Sequence, residues 1–595
     1  MGKAFLGINV SHGASAALLI NGKIVLAVQE ERFNKVKNFV GYPKKSIDFC
    51  LNYAKANDLI IEEAGFSTIN NIVFPFKYPL DNYFSIKDWF NYYHNFFSKK
   101  KKIKNVIKRI NYIKKKNKKI NQYLNYKIIP KKDYFNNYLI FRNLQKNYLI
   151  KQSNKLIKKI SFIDHHTCHA YYAAFSPNIK ERKIGVLTID SEGDRLNQTF
   201  WIFNNKKKKL IKINDSYECE LARIYRFITL ILKMKPNEHE YKVMGLAPYS
   251  KKEYSKKTYK DIFENLLTVK NCKVVHKSKP KNLFKYLYEK TQNHRFDNIA
   301  GAVQTLIENI AVKLIKQISK KYKINHFSLS GGVSMNIKMN GFLAKQNFIK
   351  KIYVSPTGTD DSLSIGACYY LNRNNNNKFL KNIYLGQKLS KKTINKKEIY
   401  KYFKDKKQII LEKNVNHIEI AKLLNKGEII AVARGQEEFG ARALGNRSIL
   451  ANPCMDGVVQ KINEQIKNRD FWMPFALTIL HEHHKKFIIN KKSMDSDFMT
   501  IGFDTIIKNY NKIKNGTHPY DKSVRPQILK KNFNQIYYSI IKSFYNISGI
   551  PAVLNTSLNL HGFPISSTLK DVIYTFKNSG LKYLYLEDSF LLRKR

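Results

Sequence analysis

Cysteine, glycine and proline are all sparse in this 595-residue sequence, and each shortage excludes a class of protein. The six cysteines lie far apart without a C-x-x-C pair, which argues against a disulfide framework and against a zinc ribbon. With 26 glycines and 15 prolines, the chain is neither collagen-like nor linker-like. Its apolar content of 43% and aromatic content of 13% are too high for a disordered chain. We therefore expect a folded protein of two or more domains in a reducing cytoplasm.

Long apolar runs are missing as well. Lys3 precedes an apolar stretch at the N-terminus, but Asn9, Ser11 and His12 interrupt it and a turn follows at Asn21. We therefore expect this segment to be neither a signal peptide nor a membrane span. We expect no membrane span elsewhere in the chain and a cytoplasmic location.

Acidic residues are scarce: 45 aspartates and glutamates stand against 106 lysines and arginines, a formal net charge of +61. Such an excess normally indicates nucleic acid, an anionic membrane or phosphorylated substrates. The chain is also rich in Asn, Ile, Tyr and Phe, so a genome biased towards AT-rich codons would supply much of the charge without any partner. The longest basic run, residues 98–119, is either an anion-binding arm or a solvated insertion.

The order of predicted elements indicates a duplicated α/β domain. Strands over residues 5–10, 14–20 and 23–29 form an opening meander, which is typical of actin-like or ribonuclease-H-like domains. A strand, a turn in the sequence SEGD and a second strand repeat this pattern over residues 184–203. A long amphipathic helix over residues 300–319 then precedes the strand HFSLS.

We predict an actin-like domain over residues 1–371, with a basic insertion near residues 86–160. The polar stretch NRNNNN has no side chains suited to a core, so it predicts a linker over residues 372–393. A second α/β domain is expected over residues 394–595.

Two histidines and two aspartates form a candidate metal site. His165 and His169 are four residues apart, which places both imidazoles on one helix face. No Glu follows the first His, so this is not the motif of a zinc protease. Asp190, at the end of a strand, and Asp360, at a strand-to-helix turn, are the carboxylates that could join them. The alternative is that these aspartates only cap helices.

Polar residues beside glycines predict anion binding in both domains. In the first domain, Gly331 and Gly332 follow a strand and precede Asn336, a pattern of either a phosphate turn or an ordinary turn. In the second domain, forked arginine donors lie next to open backbone, which suits a triphosphate or carboxy-phosphate ligand. The candidates there are Arg434, Arg442, Arg447, Ser448, Arg525 and Asn555.

Together and in this order, the segments resemble the NodU/CmcH family of O-carbamoyltransferases. The similar stretches are the N-terminal GINVSHGASAALLINGKIVLAVQEERFNKVKNFVGYP, then HHTCHAYYAAF, EYKVMGLAPY, SGGVSMN, EFGARALGNRSILANP and IPAVLNTSLN. They span nearly the whole chain. The resemblance implies an N-terminal actin-like ATPase (ASKHA) domain, similar to the tRNA threonylcarbamoyl-transferase subunit, and a C-terminal YrdC-like domain.

The resemblance also implies a reaction. Such an enzyme uses ATP with Mg²⁺ to convert carbamoyl phosphate, its co-substrate, into carbamoyladenylate, and then transfers the carbamoyl group to a hydroxyl. The acceptor is expected to be a small hydroxylated molecule such as a sugar or glycan precursor, and no nucleic-acid partner is expected. The alternative is a tRNA threonylcarbamoyl-type modification enzyme, which would suit the positive charge.

Residue roles follow from the same resemblance. His165, His169, Asp190 and Asp360 would hold a divalent metal, expected to be Fe²⁺. The catalytic candidates are His12, Lys242 and Arg525. Nucleotide and carbamoyl phosphate would contact Gly331, Gly332, Asn336, Arg434, Arg442, Arg447, Ser448 and Asn555.

The chain departs from the family pattern at three positions. Phe563 replaces a usual Glu and so removes a carboxylate. Ala441 replaces a common Pro, a change that we expect to be tolerated. Asn9 stands where actin-like relatives place an Asp for a nucleotide-bound metal, which suits a domain that is not a kinase.

Overall fold

The computed structural model describes residues 3–70, 84–97, 134–176, 179–390, 394–403 and 405–595. The chain divides into two compact units, Met1–Lys381 and Asn382–Arg595, called the first and second unit below. The basic run 98–119 lies outside the described residues. Within the described ranges, every helix is too short or too polar to cross a membrane.

The first unit begins with a five-stranded sheet of order β3-β2-β1-β4-β5. Its strands are β1 (Ala4–Asn9), β2 (Ser15–Ile20), β3 (Lys23–Gln29), β4 (Ile61–Phe66) and β5 (Ile157–Phe162). The first three strands are antiparallel, whereas β4 and β5 run parallel to β1. Asn21 and Gly22, with φ of 49° and 78°, form the tight turn between β2 and β3. The predicted opening meander is therefore confirmed.

A second sheet in the first unit repeats this plan with the order β12-β11-β6-β7-β8. Its strands are β6 (Lys183–Gly193), β7 (Leu196–Asn204), β8 (Lys209–Ser216), β11 (His326–Ser330) and β12 (Lys351–Val354), while β9 (Leu267–Lys270) and β10 (Lys273–His276) form a separate hairpin. Strands β6, β7 and β8 are antiparallel, and β11 and β12 run parallel to β6. This repetition confirms the predicted duplication in an actin-like fold.

Helices cover both sheets of the first unit. They are α1 (Glu31–Asn34), α2 (Lys44–Ala56), α3 (Ile86–Phe97), α4 (Tyr134–Ser153), α5 (His165–Phe175), α6 (Leu221–Ile231), α7 (Glu240–Leu246), α8 (Lys252–Ile262), α9 (Leu283–Thr291), α10 (Phe296–Tyr322), α11 (Ile337–Lys345) and α12 (Leu363–Leu371). Helix α10 is longer than the predicted 300–319, because its buried apolar positions extend from Ile299 to Ile318 and it ends only where Lys323 takes φ 53°.

Helix α12 approaches two neighbouring backbones through glycines. A Cβ at Gly366 would overlap the carbonyl oxygen of Cys168 in α5, and a Cβ at Gly7 in β1 would overlap the carbonyl oxygen of Ser364. Only glycine permits such distances between backbones. Helix α12 therefore fixes the position of α5 against the first sheet.

The second unit is built on an eight-stranded sheet of order β14-β22-β21-β15-β17-β20-β18-β19. The strands of this unit are β13 (Tyr384–Lys388), β14 (Ile409–Lys413), β15 (Ile430–Ala433), β16 (Gln436–Glu438), β17 (Arg447–Ala451), β18 (Ala476–Leu480), β19 (Gln527–Leu529), β20 (Ala552–Ser557), β21 (Tyr583–Leu586) and β22 (Phe590–Lys594). Its helices are α13 (Lys396–Tyr400), α14 (His417–Asn425), α15 (Val458–Ile462), α16 (Gln535–Ser548) and α17 (Leu569–Lys577). Strands β13 and β16 pair outside the large sheet.

The stretch that we expected to be an unpacked linker, residues 372–393, is partly packed. Asn372 and Asn377 are each 2% exposed, and they hydrogen-bond to each other at 2.7 Å. The amide of Lys378 donates to the carbonyl of Gly22, and residues 384–388 form β13. The expected lack of packing is wrong, because asparagine side chains satisfy turn backbone and a polar run can be well ordered. The boundary between the two units, between Lys381 and Asn382, nevertheless falls within this stretch.

The cysteines are all free thiols. Cys454 is half-buried, whereas the other five are buried. Burial raises the pKa of the thiol in each of those five, to about 12 for Cys219. They are therefore protonated at neutral pH and act as small apolar side chains.

Candidate active site

Helix α5 presents the two candidate metal-binding histidines. Its N-cap is Asp164, whose carboxylate accepts the amide of Thr167 at 2.8 Å. His165 and His169 lie one turn apart on the same face, and their ring centroids are 4.8 Å apart. The predicted helical i, i+4 arrangement is present.

The two predicted carboxylates lie beside these histidines. Asp190 lies in β6 and Asp360 begins the 3₁₀ turn Asp360–Ser362. His169 Nε2 is 3.3 Å from Asp190 Oδ2 and 3.7 Å from Asp360 Oδ1, and His165 Nε2 is 3.7 Å from Asp360 Oδ1. One ligand atom from each of the four residues lies within 4.8 Å of the others. We call these four residues the metal cluster.

The donor set of the metal cluster fits a divalent cation. Both histidine Nε2 atoms are buried, and neither makes a hydrogen bond among the described residues. Burial lowers the pKa of His169, but the carboxylates of Asp190 and Asp360 outweigh burial and raise it to about 9. Two imidazole nitrogens and two carboxylates are compatible with iron, zinc or manganese. A cation at this point would satisfy the buried nitrogens and offset the two negative charges.

Ser330 and Ser11, which were not among the predicted site residues, orient the ligands together with Gly332 of the predicted phosphate turn. Ser330 Oγ lies 3.2 Å from the Nδ1 of His169. Ser11 Oγ donates to Asp360 Oδ2 at 2.8 Å. The amide of Gly332 donates to Asp190 Oδ2 at 2.9 Å. Contacts of this kind fix the rotamers of ligand side chains and raise metal affinity.

The neighbouring His166 faces away from the cluster and has a structural role. Its Nδ1 contacts the hydroxyl of Thr188 at 2.7 Å, and its Nε2 contacts the carbonyl of Leu196 at 3.0 Å. Burial, assisted by the charge of His165, lowers the pKa of His166 to about 3. The HHTCH motif thus contains two candidate ligands and one neutral core histidine.

His12, the predicted transfer-site base, lies in the half-buried loop between β1 and β2. Its carbonyl accepts from Asn9 Nδ2 at 3.1 Å, and the adjacent Ser11 contacts Asp360. The loop carrying His12 is therefore joined to the metal cluster. Lys242, the other catalytic candidate of this unit, lies in α7, where burial and then the charge of Lys242 lower the pKa of His239 to about 4.

The predicted phosphate turn of the first unit lies against the metal cluster. Gly331 has a φ of 91°, and a Cβ there would overlap the carbonyl oxygen of Ile189. Asn336 caps α11 by accepting the amide of Met339, and its side chain exchanges two hydrogen bonds with Gln304. The glycines leave backbone open beside the cluster, while the amide of Asn336 is used within the protein.

Arg447 is a structural residue of the second unit. Its side chain is fully buried, and its donors reach the carbonyl oxygens of Gln387, Arg434, Gly435, Asn446 and Ser567. A guanidinium has five N–H donors, and these carbonyls account for all of them. The arrangement provides no N–H for a phosphate, which the sequence alone did not reveal.

Arg434 is also held by the protein. Its Nε donates to Asp588 at 2.7 Å, and its Nη1 donates to Asn446 at 3.0 Å and to Asn534 at 2.7 Å. Ser448 is buried in β17, and its Oγ accepts the amide of Gly445 at 2.9 Å. These contacts shape the glycine-containing loop between β16 and β17.

The remaining candidates of the second unit lie near this loop or farther along the chain. Arg442, within the loop, and Arg525, just before β19, are half-buried. Asn555 in β20 donates to the carbonyl of Ala443 at 3.0 Å, so it is joined to the loop that carries Arg442. Their role in binding stays a prediction.

Lys467 adds positive charge near the arginine-containing segment of this unit, although it is not among the predicted site residues. It ends a π-helical turn, is buried, and its ammonium donates to Asn559 Oδ1 at 2.8 Å and to the carbonyl of Ser557. The LNTSLN segment at the end of β20 is therefore joined to a buried positive charge. The π-helical turn places the Lys467 ammonium at this point, and the sequence pattern does not predict such a turn.

Comparison with known proteins agrees with the motifs. The family model described as carbamoyltransferase N-terminus matches residues 4–369, and the one described as carbamoyltransferase C-terminus matches residues 421–594. The chain is 31% identical to the protein MJ1051 of Methanocaldococcus jannaschii, covering 99% of both. It is 26% identical to the nodulation protein NolNO of Sinorhizobium fredii, covering 98% of this chain and 79% of that one.

Two further similarities cover less of the chain or are more distant. The 3'-hydroxymethylcephem-O-carbamoyltransferase of Amycolatopsis lactamdurans is 26% identical over 30% of this chain and 33% of its own length. Among solved structures, full-length HypF in its phosphate- and nucleotide-bound form matches 62% of this chain and 55% of that chain, with 12% identity and a TM-score of 0.36.

The first unit is an α/β fold in which one five-stranded sheet plan occurs twice, as predicted for an actin-like fold. The chain belongs to the carbamoyltransferase family, within the NodU/CmcH group that its motifs predicted. It is therefore a transferase.

Proposed function

We propose that this protein is an O-carbamoyltransferase that activates carbamoyl phosphate with ATP and transfers the carbamoyl group to a hydroxyl of a small acceptor, such as a sugar. The observation that carries the proposal is the metal cluster, two buried histidines beside two aspartates in a chain that belongs to the carbamoyltransferase family. The O-carbamoyltransferase named among its relatives supports a hydroxyl as the acceptor.

The activation step belongs to the second unit in this proposal. Hydrolysis of carbamoyl phosphate releases phosphate and leaves carbamate, whose oxygen attacks the α-phosphorus of ATP. Pyrophosphate leaves and carbamoyladenylate remains. Arg442 and Arg525 are the cations that would stabilise charge on the phosphates. Arg434 and Arg447 would act indirectly, by shaping the loop between β16 and β17.

The transfer step belongs to the first unit. The acceptor oxygen attacks the carbamoyl carbon, the bond to AMP breaks, and the hydroxyl proton passes to a base, for which His12 is the candidate. A divalent cation held by His165, His169, Asp190 and Asp360 would supply Lewis acidity to the carbamoyl carbonyl. Ser11 and Ser330 hold the side chains of Asp360 and His169 during this step.

The first experiment measures pyrophosphate release from ATP with and without carbamoyl phosphate. Release that depends on carbamoyl phosphate is the expected result, since carbamoyladenylate forms only with that co-substrate. A parallel reaction receives threonine and bicarbonate instead. Release only in that reaction would replace the proposal with a tRNA threonylcarbamoyl-type function, and no release in either would contradict both.

Two histidine variants test whether activation and transfer use separate sites. His165→Ala removes one member of the metal cluster, so we expect it to abolish carbamoyl transfer to an acceptor and to leave pyrophosphate release at the wild-type rate. His326→Ala is the matched control, because His326 lies at the opposite end of β11 from Ser330 and pairs with Glu181. Loss of both activities in His165→Ala alone would contradict separate sites for the two steps.

A further inference from the structure

The carboxylate of Asp194 is an acceptor for five donor contacts beside the metal cluster. Its oxygens accept from Thr68 Oγ1 at 3.0 Å, from the amide of Ile69 at 3.0 and 2.9 Å, and from the amide of Asn70 at 2.7 Å. Its Oδ2 also accepts the amide of His165 at 2.8 Å. One side chain thus joins the loop after β4, the turn between β6 and β7, and the start of α5.

The bond to His165 satisfies a helix terminus. His165 is the first residue of α5, so its amide has no partner within the helix. A carboxylate at this end also interacts favourably with the helix dipole. The N-cap residue Asp164 serves the amide of Thr167 instead, so Asp194 supplies a second anion to the same helix end.

The turn that contains Asp194 also determines where the His165 ring can lie. A Cβ on Gly193 would overlap the Cδ2 and Cγ atoms of His165. The imidazole therefore lies directly against the backbone of Gly193, while the next residue holds the His165 amide. Main chain and ring of this candidate ligand are both fixed by the turn between β6 and β7.

The loop held by Asp194 leads on to another member of the metal cluster. Ser67, next to Thr68, donates to Asn9 Oδ1 at 3.2 Å. The same oxygen lies 2.7 Å from Ser11 Oγ, and Ser11 Oγ lies 2.8 Å from Asp360 Oδ2. A continuous chain of side chains therefore runs from the loop under Asp194 to Asp360.

We propose that Asp194 is a positioning residue that sets the metal affinity of the site by fixing His165 and the loop that leads to Asp360. Asp194 does not itself contact the bound cation; it acts through other residues. This inference rests on the proposed function, because it requires that the metal cluster binds a cation.

The test is a titration of the metal-free protein with Co²⁺, in which the visible absorption of the bound ion reports binding. Asp194→Asn keeps the side-chain shape and tolerates the φ of 48° at this position. It replaces one acceptor oxygen with an NH₂ group that faces donors. We expect Co²⁺ to bind about 10- to 100-fold more weakly, with an altered spectrum, as is typical when groups that orient ligands are lost.

Asp58→Asn is the matched control, because Asp58 also has a positive φ, of 51°, but is exposed in the turn after α2. It should bind Co²⁺ like the wild type. Asp194→Glu retains a carboxylate, and we expect it to recover part of the lost affinity.

The outcomes distinguish the inference from the proposed function. Failure of the wild type to bind Co²⁺ would contradict the metal site itself. Equal affinity of wild type and Asp194→Asn would overturn the inference, even with a lower melting temperature of the metal-free variant, because that pattern indicates a purely structural role. Should Asp194→Asn not fold, Thr68→Val removes one of the contacts and should weaken Co²⁺ binding several-fold; unchanged affinity in that variant would equally overturn the inference.

Discussion

At the scale of single residues, arginines in one motif have different roles. Arg447, the first residue of β17, is enclosed by main-chain carbonyls and is fully buried, whereas Arg442, five residues earlier in the preceding loop, is half-buried. Burying a charge is costly unless hydrogen bonds compensate for the lost water, and the main-chain carbonyls around Arg447 supply such bonds. Chemistry at the proposed phosphate site therefore depends on Arg442 more directly than on Arg447.

Arg447→Ala should destabilise the second unit. The change leaves several carbonyl oxygens buried without a donor, and each loss of this kind costs about 1–3 kcal/mol. We expect a loss of about 3 kcal/mol or more in the free energy of unfolding, measured by urea titration. Arg593→Ala, at an exposed arginine of β22, is the control and should be close to neutral. A variant as stable as this control would contradict the structural role of Arg447.

Pattern and resemblance together predicted the metal cluster. Residues four apart in a helix share a face, which predicted the pair His165 and His169, and strand ends made Asp190 and Asp360 candidates. The resemblance to the family joined these four residues into one ligand set. Ser11 was not predicted, because its contact with Asp360 joins residues 349 positions apart. Nor could any pattern show that Arg447 has no free donor, since its partners lie on separate segments.

At the scale of elements, the crossing of α12 over α5 depends on the absence of a side chain. Gly366 lets the two helices approach until backbone meets backbone, and α5 carries both histidines of the metal cluster. The packing of α12 thus determines where the candidate ligands lie relative to Asp360, which immediately precedes α12.

Gly366→Ala should therefore both destabilise the first unit and weaken metal binding. A methyl group here overlaps a carbonyl oxygen that cannot move alone, and overpacking of this kind costs about 1–3 kcal/mol or more. Gly549→Ala is the control: a Cβ there has open space, and only its φ of 68° adds a cost of about 1–2 kcal/mol. Thermal unfolding and Co²⁺ affinity should fall in Gly366→Ala, and Co²⁺ affinity should not fall in the control. Wild-type Co²⁺ affinity in Gly366→Ala would refute this account of the crossing.

The strand pattern could be predicted at this scale, but some turns could not. Apolar runs predicted the strands of both antiparallel meanders, and Asn21-Gly22 predicted the turn between β2 and β3 in the first one. In the second meander the turn falls at Asp194 and Arg195, with φ of 48° and 74°, rather than at Gly193. Gly193 instead allows the His165 ring to approach the backbone closely. The common rule that a glycine marks the turn position therefore fails in this hairpin.

At the scale of the whole molecule, the division into two compact units predicts two separable responses to ligands. A ligand that binds only the folded state stabilises the unit that holds it, by about 2.7 kcal/mol at 100 times its Kd. In calorimetry of the full chain we expect two transitions. Co²⁺ should raise the transition temperature of the first unit by a few degrees, and ATP with carbamoyl phosphate should raise that of the second unit. A single transition raised by both ligands would contradict independent units with separate sites.

The distribution of the six thiols makes such experiments easier to design. Five are shielded and protonated, whereas Cys454 lies half-buried just after β17, in the second unit. A maleimide dye should therefore attach at one place without mutagenesis. The labelled protein would carry a fluorescent reporter in the unit assigned to activation, so that nucleotide binding could be followed in real time while the metal cluster is left untouched.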